Sequence, residues 1–138
     1  MNERLTATQL DNDQGHKVYH LKMKMPMMIT NRSLITCFYE HEDAETGFRI
    51  FCHSSQGCEA IVEQQRAEIG KNQLATFIVN YTAGRPYEGG MEIQMVLAMD
   101  IAGSIPSFVK NKIAKRLSNV GLQIADYIMH GTVPKSLF

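Results

Sequence analysis

The chain has 138 residues, with 14 basic and 14 acidic side chains that give a formal net charge of zero. This length suits one domain with a single hydrophobic core, and the balanced charge argues against a nucleic-acid-binding protein that relies on neutralising phosphates. The apolar runs are too short for a membrane-spanning helix, and the N-terminal "MNERLTATQLDNDQ" lacks the apolar segment of a signal peptide. We therefore expect one domain over 1–138, soluble and located in the cytoplasm.

Alternating apolar and polar residues predict five strands in the first part of the chain. These strands cover 3–10, 17–25, 32–40, 48–54 and 73–82. In the second strand, Tyr19, Leu21 and Met23 share one face, whereas Val18 and His20 lie on the other. This period of two is typical of a half-buried strand.

Two intervening segments have no clear period. Residues 55–73, which include "CEAIVEQQRAEIG", are compatible with a short helix or with an extended loop. Residues 83–90, "AGRPYEGG", combine Gly and Pro and therefore predict a loop.

The sixth predicted strand, "MEIQMVLAMDI" at 91–101, has the clearest alternation. After it, the apolar spacing changes from two to three and four, which predicts one amphipathic helix over 105–130. Ser104 can cap this helix, and Pro106 suits its first turn. The apolar stripe of the helix consists of Phe108, Val109, Ile113, Leu117, Val120, Ile124 and Ile128.

The predicted strands, spread over 3–101, thus precede one long C-terminal helix. Because no other predicted element can cover the sheet, the helix must lie across the apolar face of the strands. The sequence therefore predicts an α+β fold, with an antiparallel sheet of about six strands and a C-terminal helix packed across it.

Two stretches of this pattern resemble the START (StAR-related lipid-transfer) domains, which have a helix-grip fold. The segment "MVLAMDIAGSIPSFVKNKIAKRL" resembles the last START strand, its corner and the beginning of the lid helix. In this resemblance Asp100 ends the strand, Gly103 permits the sharp turn and Pro106 presets the first helical turn. The segment "KMPMMITNRS" resembles the START strand that reaches a Pro and continues into an Asn-Arg-Asp-like turn, which here contains Arg32.

The resemblance implies a non-enzymatic module that holds a lipid or sterol between the sheet and the helix. Ser33 replaces the Asp of the family's turn, and Phe38 stands where many relatives have a basic residue, which implies a more apolar cavity. Nearly all of this chain is covered, but only about the C-terminal two thirds of a START domain. The last strand would then have an unpaired outer edge, so we expect a homodimer or a protein partner that completes the sheet.

The residues assigned to the cavity wall come from the apolar faces of the strands and the helix. They are Tyr19, Leu21, Met23, Phe38, Met91, Ile93, Met95, Leu97, Met99, Phe108, Val109, Ile113, Leu117, Val120 and Ile124. By pattern alone, the same residues are compatible with an ordinary core, because a lipid pocket and a core use the same residue types. Arg32, Asp100, Gly103 and Pro106 are assigned to the structural motif at the corner.

The first half of the predicted helix carries four basic residues, Lys110, Lys112, Lys115 and Arg116. They suit transient contact with an anionic membrane, and they equally suit a solvated helix face.

The remaining candidates for chemistry are the cysteines and histidines. Cys37, Cys52 and Cys58 are an odd set without a secretory signal, which predicts reduced thiols. With His41 and His53 they suggest zinc, but "CHSSQGC" lacks the paired spacings of structural zinc sites, so we expect no metal and no cofactor.

Two other functions compete with lipid binding. One is a structural or interaction subunit with a START-type fold that binds a partner or dimerises and carries no lipid. The other is an enzyme of the wider helix-grip superfamily, for which His20 and Tyr39 are available, although the chain has no G-x-S-x-G, P-loop or G-x-G-x-x-G motif.

Overall fold

The computed structural model describes residues 5–10, 16–26 and 28–131. The strands within these ranges are β1 Leu5–Leu10, β2 Lys17–Met23, β3 Arg32–Glu42, β4 Arg49–Ser54, β5 Gln73–Tyr87 and β6 Gly90–Asp100. The helices are α1 Glu59–Gln64, α2 Arg66–Ile69, α3 Ser107–Ser118 and α4 Val120–His130. The predicted α+β fold, a six-stranded antiparallel sheet followed by C-terminal helical structure, is confirmed. Residues 3 and 4 of the first predicted strand lie outside the described ranges.

The strands lie side by side in chain order, from β1 at one edge of the sheet to β6 at the other. Neighbouring strands are antiparallel, and the beginning of β5 also pairs in parallel with β3, where Arg32 lies opposite Gln73 and Leu34 opposite Ala75. Further along, β5 pairs with β4 and β6. A bulge between Phe77 and Val79 shifts the register of β5 against β6.

The predicted loop over 83–90 is wrong, because β5 and β6 continue into a tight hairpin. Glu88 and Gly89, both with positive φ, form a two-residue turn between Tyr87 and Gly90. In such a hairpin the next pair outward, here formed by Pro86, exchanges no backbone hydrogen bonds. The missing N–H of proline therefore costs the sheet nothing at this position.

The expectation that only the C-terminal helix covers the sheet is also wrong. The ambiguous segment forms α1 and α2, and α1 packs on the side of the sheet that we call the back face. Val18, Ile35 and Cys37 of the strands are buried there together with Cys58, and Ile61 and Val62 of α1 pack on them. Because this face is covered, the alternation in β2 marks two buried faces rather than one buried and one solvated face.

The opposite side, the inner face, carries a second cluster. Met23, Leu34 and Ala75 are buried in it, and Leu21, Phe77 and Met99 pack around them. The helical segment predicted as one helix over 105–130 consists of α3 and α4, divided at Asn119. Pro106 rather than Ser104 occupies the N-cap position of α3, and no side chain caps it.

Candidate functional site

The corner between β6 and α3 is held by a buried arginine. Arg32 is only 1% exposed, and its guanidinium donates hydrogen bonds to three backbone carbonyls. Nε lies 2.6 Å from the Ile101 oxygen and Nη2 lies 2.9 Å from the Ala102 oxygen, while Nη1 contacts the Thr30 oxygen. Burial lowers the pKa of this guanidinium. These contacts tie the start of β3 to the end of β6.

Gly103 and Asp100 complete the corner. Gly103 has a φ of +69°, and a Cβ added to it would lie 3.2 Å from Nη2 of Arg32. Asp100 accepts a hydrogen bond of 2.9 Å from the backbone N–H of Ala102 through Oδ1. Arg32, Asp100 and Gly103 thus meet at one place and aim α3 back over the inner face.

Two cavities lie between the inner face and the helices. The smaller, about 50 Å³, lies where the ends of β2 and β6 meet α3, and the larger, about 390 Å³, lies between β6 and the α3–α4 pair. Residues of the predicted lining around the smaller cavity are Met23, Met99, Val109 and Ile113. Those around the larger cavity are Met95, Leu97 and Leu117. The two cavities therefore bring together predicted residues from the strands and from the helix.

The other predicted lining residues lie outside these two cavities. Tyr19, Leu21, Phe38, Ile93, Val120 and Ile124 are partly buried. Met91 is 49% exposed at the hairpin end of β6, and Phe108 is 58% exposed at the beginning of α3. Of the predicted basic residues, Lys112 and Arg116 border the smaller cavity. Lys110, Lys112 and Lys115 are exposed, and Arg116 is partly buried.

A row of aromatic rings crosses the inner face from β2 to β5, and we call it the aromatic strip. It consists of Tyr19, Phe38, Phe51, His53 and Phe77. The Phe38 centroid lies 5.1 Å from that of His53, 5.9 Å from that of Phe51 and 6.5 Å from that of Tyr19. The centroids of His53 and Phe77 are 5.9 Å apart. All five side chains are only partly buried.

Phe51, His53 and Phe77 are not among the residues that the sequence predicts for this surface. Phe51 and His53 are two residues apart in one strand, so they share a face. That face becomes the inner face only through the strand register, which places Phe38 directly opposite His53. The register was not predictable from the single sequence, but the alternation in "FRIFCHS" was the available signal.

His53 is the imidazole of the aromatic strip, and Tyr19 carries the other polar group of the strip, its phenol hydroxyl. Its Nδ1 atom is buried and has no hydrogen-bond partner in the described part of the chain. Burial lowers the pKa of this imidazole, which favours the neutral form. A buried nitrogen without an acceptor is costly to protonate, so the tautomer with the proton on Nε2 is favoured.

The back face has its own polar contacts. His20 is buried, and its Nε2 lies 3.0 Å from Ser33 Oγ, which also accepts a hydrogen bond of 3.0 Å from Asn72. Burial, with a smaller contribution from Lys22, lowers the pKa of His20. Because Ser33 carries no charge, it can hydrogen-bond the neutral form of the His20 imidazole, which the lowered pKa favours.

Two thiols meet beneath α1. The Sγ atoms of Cys37 and Cys58 are 3.3 Å apart, and burial raises the pKa of Cys58 to about 12. Neither Cys37 nor Cys58 forms a disulfide in this structure. Within the described ranges, no three His, Cys, Asp or Glu residues are grouped as metal ligands, and no helix is long and apolar enough to cross a membrane.

Comparisons with known proteins show similarity in fold. No protein-family model matches the chain, and no curated protein matches it in sequence. Among solved structures, the human StarD13 (DLC2) lipid transfer and protein localization domain matches with a TM-score of 0.60 and 13% sequence identity. The match covers 80% of this chain and 55% of that domain, so the chain spans about half of its length. The chain therefore has a START-like helix-grip α+β fold.

Proposed function

We propose that this protein is a non-enzymatic module that binds a lipid or sterol between the inner face of the sheet and helices α3 and α4. The cavity of about 390 Å³ between β6 and the helices carries this proposal. Its volume falls in the range of about 300–1,000 Å³ that is typical of small-molecule sites. The StarD13 domain of similar fold is called a lipid transfer and protein localization domain, and this name supports a lipid as the class of ligand.

The composition of the cavity wall supports an apolar ligand. Met95, Leu97 and Leu117 line the cavity together with one polar residue, Ser118. The small residues Ala114 and Gly121 also border it and leave space beside them. Methionine side chains are flexible and adapt to irregular apolar shapes. A packed core would bury these side chains fully, whereas Met95, Leu97 and Leu117 are partly exposed.

Native mass spectrometry of the purified protein, followed by lipid extraction after denaturation, tests this function. We expect a bound mass that leaves on unfolding and is identified as a lipid. Ala114→Trp should lower lipid retention because the indole fills the cavity, and Ala60→Trp on the exposed side of α1 is the matched control. If the wild-type protein neither retains lipid nor takes it up from liposomes, the proposal is wrong.

Helix α3 is proposed as the surface that meets the membrane during lipid exchange. Its sequence contains Lys110, Lys112, Lys115 and Arg116 and no acidic residue. Each basic residue near an anionic surface contributes roughly 1 kcal/mol. Co-sedimentation should be stronger with phosphatidylserine vesicles than with phosphatidylcholine vesicles, and Lys110→Glu with Lys115→Glu should abolish the difference. Equal binding to both vesicle types would contradict this role.

A second candidate function, an interaction subunit that carries no lipid, is favoured by the position of β6. This strand of 11 residues lies at an edge of the described sheet, so one row of its backbone groups is available to another chain. A second copy would extend the sheet through β6. Light scattering coupled to gel filtration should then show a dimer, and Ile93→Pro should convert it to a monomer, because Ile93 forms a non-hydrogen-bonded pair with Gly84 and its N–H points away from β5. A monomer at all concentrations, together with bound lipid, would rule out this candidate.

A further inference from the structure

The back face carries a feature that lipid binding does not use, the pair of thiols at the beginning of α1. The Sγ atoms of Cys37 and Cys58 are 3.3 Å apart, and the two residues are 6% and 1% exposed. Cys37 lies in β3, whereas Cys58 is the N-cap residue of α1. The pair therefore connects a strand in the middle of the sheet to the helix that covers this face.

The backbone around the two cysteines holds them close together. Cys37 lies directly opposite Ser54 in the β3–β4 ladder, and the Cys58 thiol lies 3.7 Å from the Ser54 oxygen. A disulfide has an S–S length of about 2.05 Å, so the two sulfurs need to approach by roughly 1.3 Å, which a change in side-chain torsion angles supplies. Within the described ranges no third His, Cys, Asp or Glu joins them to make a metal site, so a covalent bond is the chemistry that the pair supports.

Helix α1 is held to the sheet by few interactions. It has six residues, none of which is buried, and no side chain caps its N-terminus. Ile61 and Val62 pack on the back-face cluster but are only partly buried. Because isolated helices of this length are marginal in water, α1 should open at a lower free energy than the central strands. Such opening admits a small oxidant to the thiols.

We propose that Cys37 and Cys58 are a redox pair, which a peroxide oxidises to an intramolecular disulfide that ties α1 to β3. Cys37, the more accessible thiol, reacts first. One oxygen of hydrogen peroxide is transferred to its sulfur to form a sulfenic acid, and the thiol proton leaves with the other oxygen as water. The Cys58 sulfur then attacks the sulfenic sulfur, and its proton leaves with the hydroxyl group as a second water. The two thiols are oxidised by two electrons in total, and the peroxide is reduced.

The ionisation of Cys58 agrees with this order of events. Burial raises the pKa of its thiol to about 12, so Cys58 stays protonated, and thiols react with oxidants far more slowly than thiolates do. Cys58 is therefore the second thiol to react. The inference is independent of the proposed function, because the back face and the proposed lipid site lie on opposite sides of the sheet.

Peptide mapping of the folded protein after treatment with hydrogen peroxide tests the bond. Trypsin cleaves after Arg49, so a bond between Cys37 and Cys58 links the peptides 33–49 and 50–66. Cys52 lies in the second peptide, and Cys52→Ser removes this ambiguity. We expect the linked peptides, lighter than their sum by the two thiol hydrogens, and we expect a reductant to separate them.

The wild-type chain unfolded in urea and oxidised in the same way is the control for selectivity. Without the fold, loop closure favours the pairs that are nearer in sequence, which are Cys52 with Cys58 and Cys37 with Cys52. The folded wild-type protein should instead join Cys37 to Cys58 and leave Cys52 free for alkylation. This contrast attributes the pairing to the fold rather than to sequence distance.

Denaturation and hydrogen exchange test whether the bond restrains α1. Oxidised Cys52→Ser should have a urea midpoint about 1–2 M above that of its reduced form, because the bond restricts the unfolded chain. Amides of α1 should exchange at least about 10-fold more slowly after oxidation, and a reductant should reverse both changes. Cys52→Ser combined with Cys58→Ser is the matched control for methionine oxidation by the peroxide, and it should show neither increase.

Two results would overturn the inference. If folded Cys52→Ser yields no linked peptides, and its thiols stay free for alkylation or become sulfinic acids, Cys37 and Cys58 are not a redox pair. If the linked peptides form while the exchange of α1 is unchanged, the bond does not restrain the helix and its proposed role is wrong. Native mass spectrometry tests lipid binding separately, so either failure leaves the proposed function standing.

Discussion

At the scale of single residues, the corner depends on Gly103. Its backbone has positive φ, and its Cα faces the buried guanidinium of Arg32. Gly103→Ala should lower the free energy of unfolding by about 1–3 kcal/mol, because an L side chain is strained at this φ and the new methyl crowds Nη2. Chemical denaturation measures the change.

Gly121→Ala is the matched control for this prediction. Gly121 lies in α4, where an added Cβ would meet no atom within 4 Å. Alanine should stabilise the helix by up to about 1 kcal/mol. Equal effects of the two substitutions would show that the corner does not constrain position 103.

The buried histidines predict how stability depends on pH. The pKa of His20 and that of His53 are both lowered by burial, so the unfolded chain takes up protons that the folded chain does not. The free energy of unfolding should therefore fall as the pH decreases through about 6.5, with a slope of at most about 1.4 kcal/mol per pH unit for each histidine. Denaturation curves between pH 8 and pH 5, in steps of about half a unit, measure this slope.

Single substitutions assign the slope to each histidine. His20→Gln can keep a hydrogen bond to Ser33 and should flatten the dependence, and His53→Phe should flatten it further. A wild-type slope in the double variant of His20 and His53 would contradict this account.

At the scale of elements, the β5–β6 hairpin carries a residue that is poorly suited to its turn. Glu88 has a φ of +45°, a region that Asn tolerates better than Glu does. Around it, Arg85 pairs with Glu92 across the strands at 2.9 Å and its guanidinium stacks 4.5 Å from the Phe48 centroid. Glu88→Asn should therefore raise the free energy of unfolding by about 0.5 kcal/mol. Glu88→Gln, which removes the charge without this conformational preference, should not.

The elements also show which parts of the fold the sequence could predict. The strands containing Val18 and Met95 alternate over seven or more residues, and both were placed correctly. The corner followed from Gly103, which permits a positive φ, and from Pro106, which fixes its own φ, shortly after Asp100 ends the strand. Such signals act within a few residues and need no knowledge of the partner strand.

The remaining features depend on contacts between distant segments. The stretch at 83–90 was predicted as a loop because it combines Gly and Pro, yet the hairpin register accommodates Pro86 at a position where its missing N–H is not needed. The role of α1 depends on Cys58 meeting Val18 and Cys37 across the back face. The aromatic strip depends on the register between β3 and β4. A single sequence does not specify these pairings.

At the scale of the whole molecule, burial is uneven in a way that suits ligand entry. Val18, Leu34 and Ile35 of β2 and β3 are at most 1% exposed. In contrast, α3 buries Val109, while Leu122, Tyr127 and Met129 of α4 are exposed. Regions with few buried apolar contacts open at lower free energy than the core. The helices should therefore separate from the sheet more easily than the central strands separate from each other.

Hydrogen exchange measured by mass spectrometry checks this expectation. Amides of β2 and β3 should exchange at least about 10-fold more slowly than those of α3 and α4, which corresponds to a difference of about 1.4 kcal/mol in opening free energy. Loading the protein from phosphatidylcholine vesicles that contain cholesterol should slow exchange in α3 and α4 and leave β2 and β3 unchanged, because a ligand between sheet and helices stabilises only the closed arrangement. Ala114→Trp, whose indole occupies the cavity, should show slow helix exchange without loading and no further change with it. Helices that exchange as slowly as β3 in the unloaded wild-type protein would indicate a permanently closed core, and would favour the interaction subunit over the lipid-binding module.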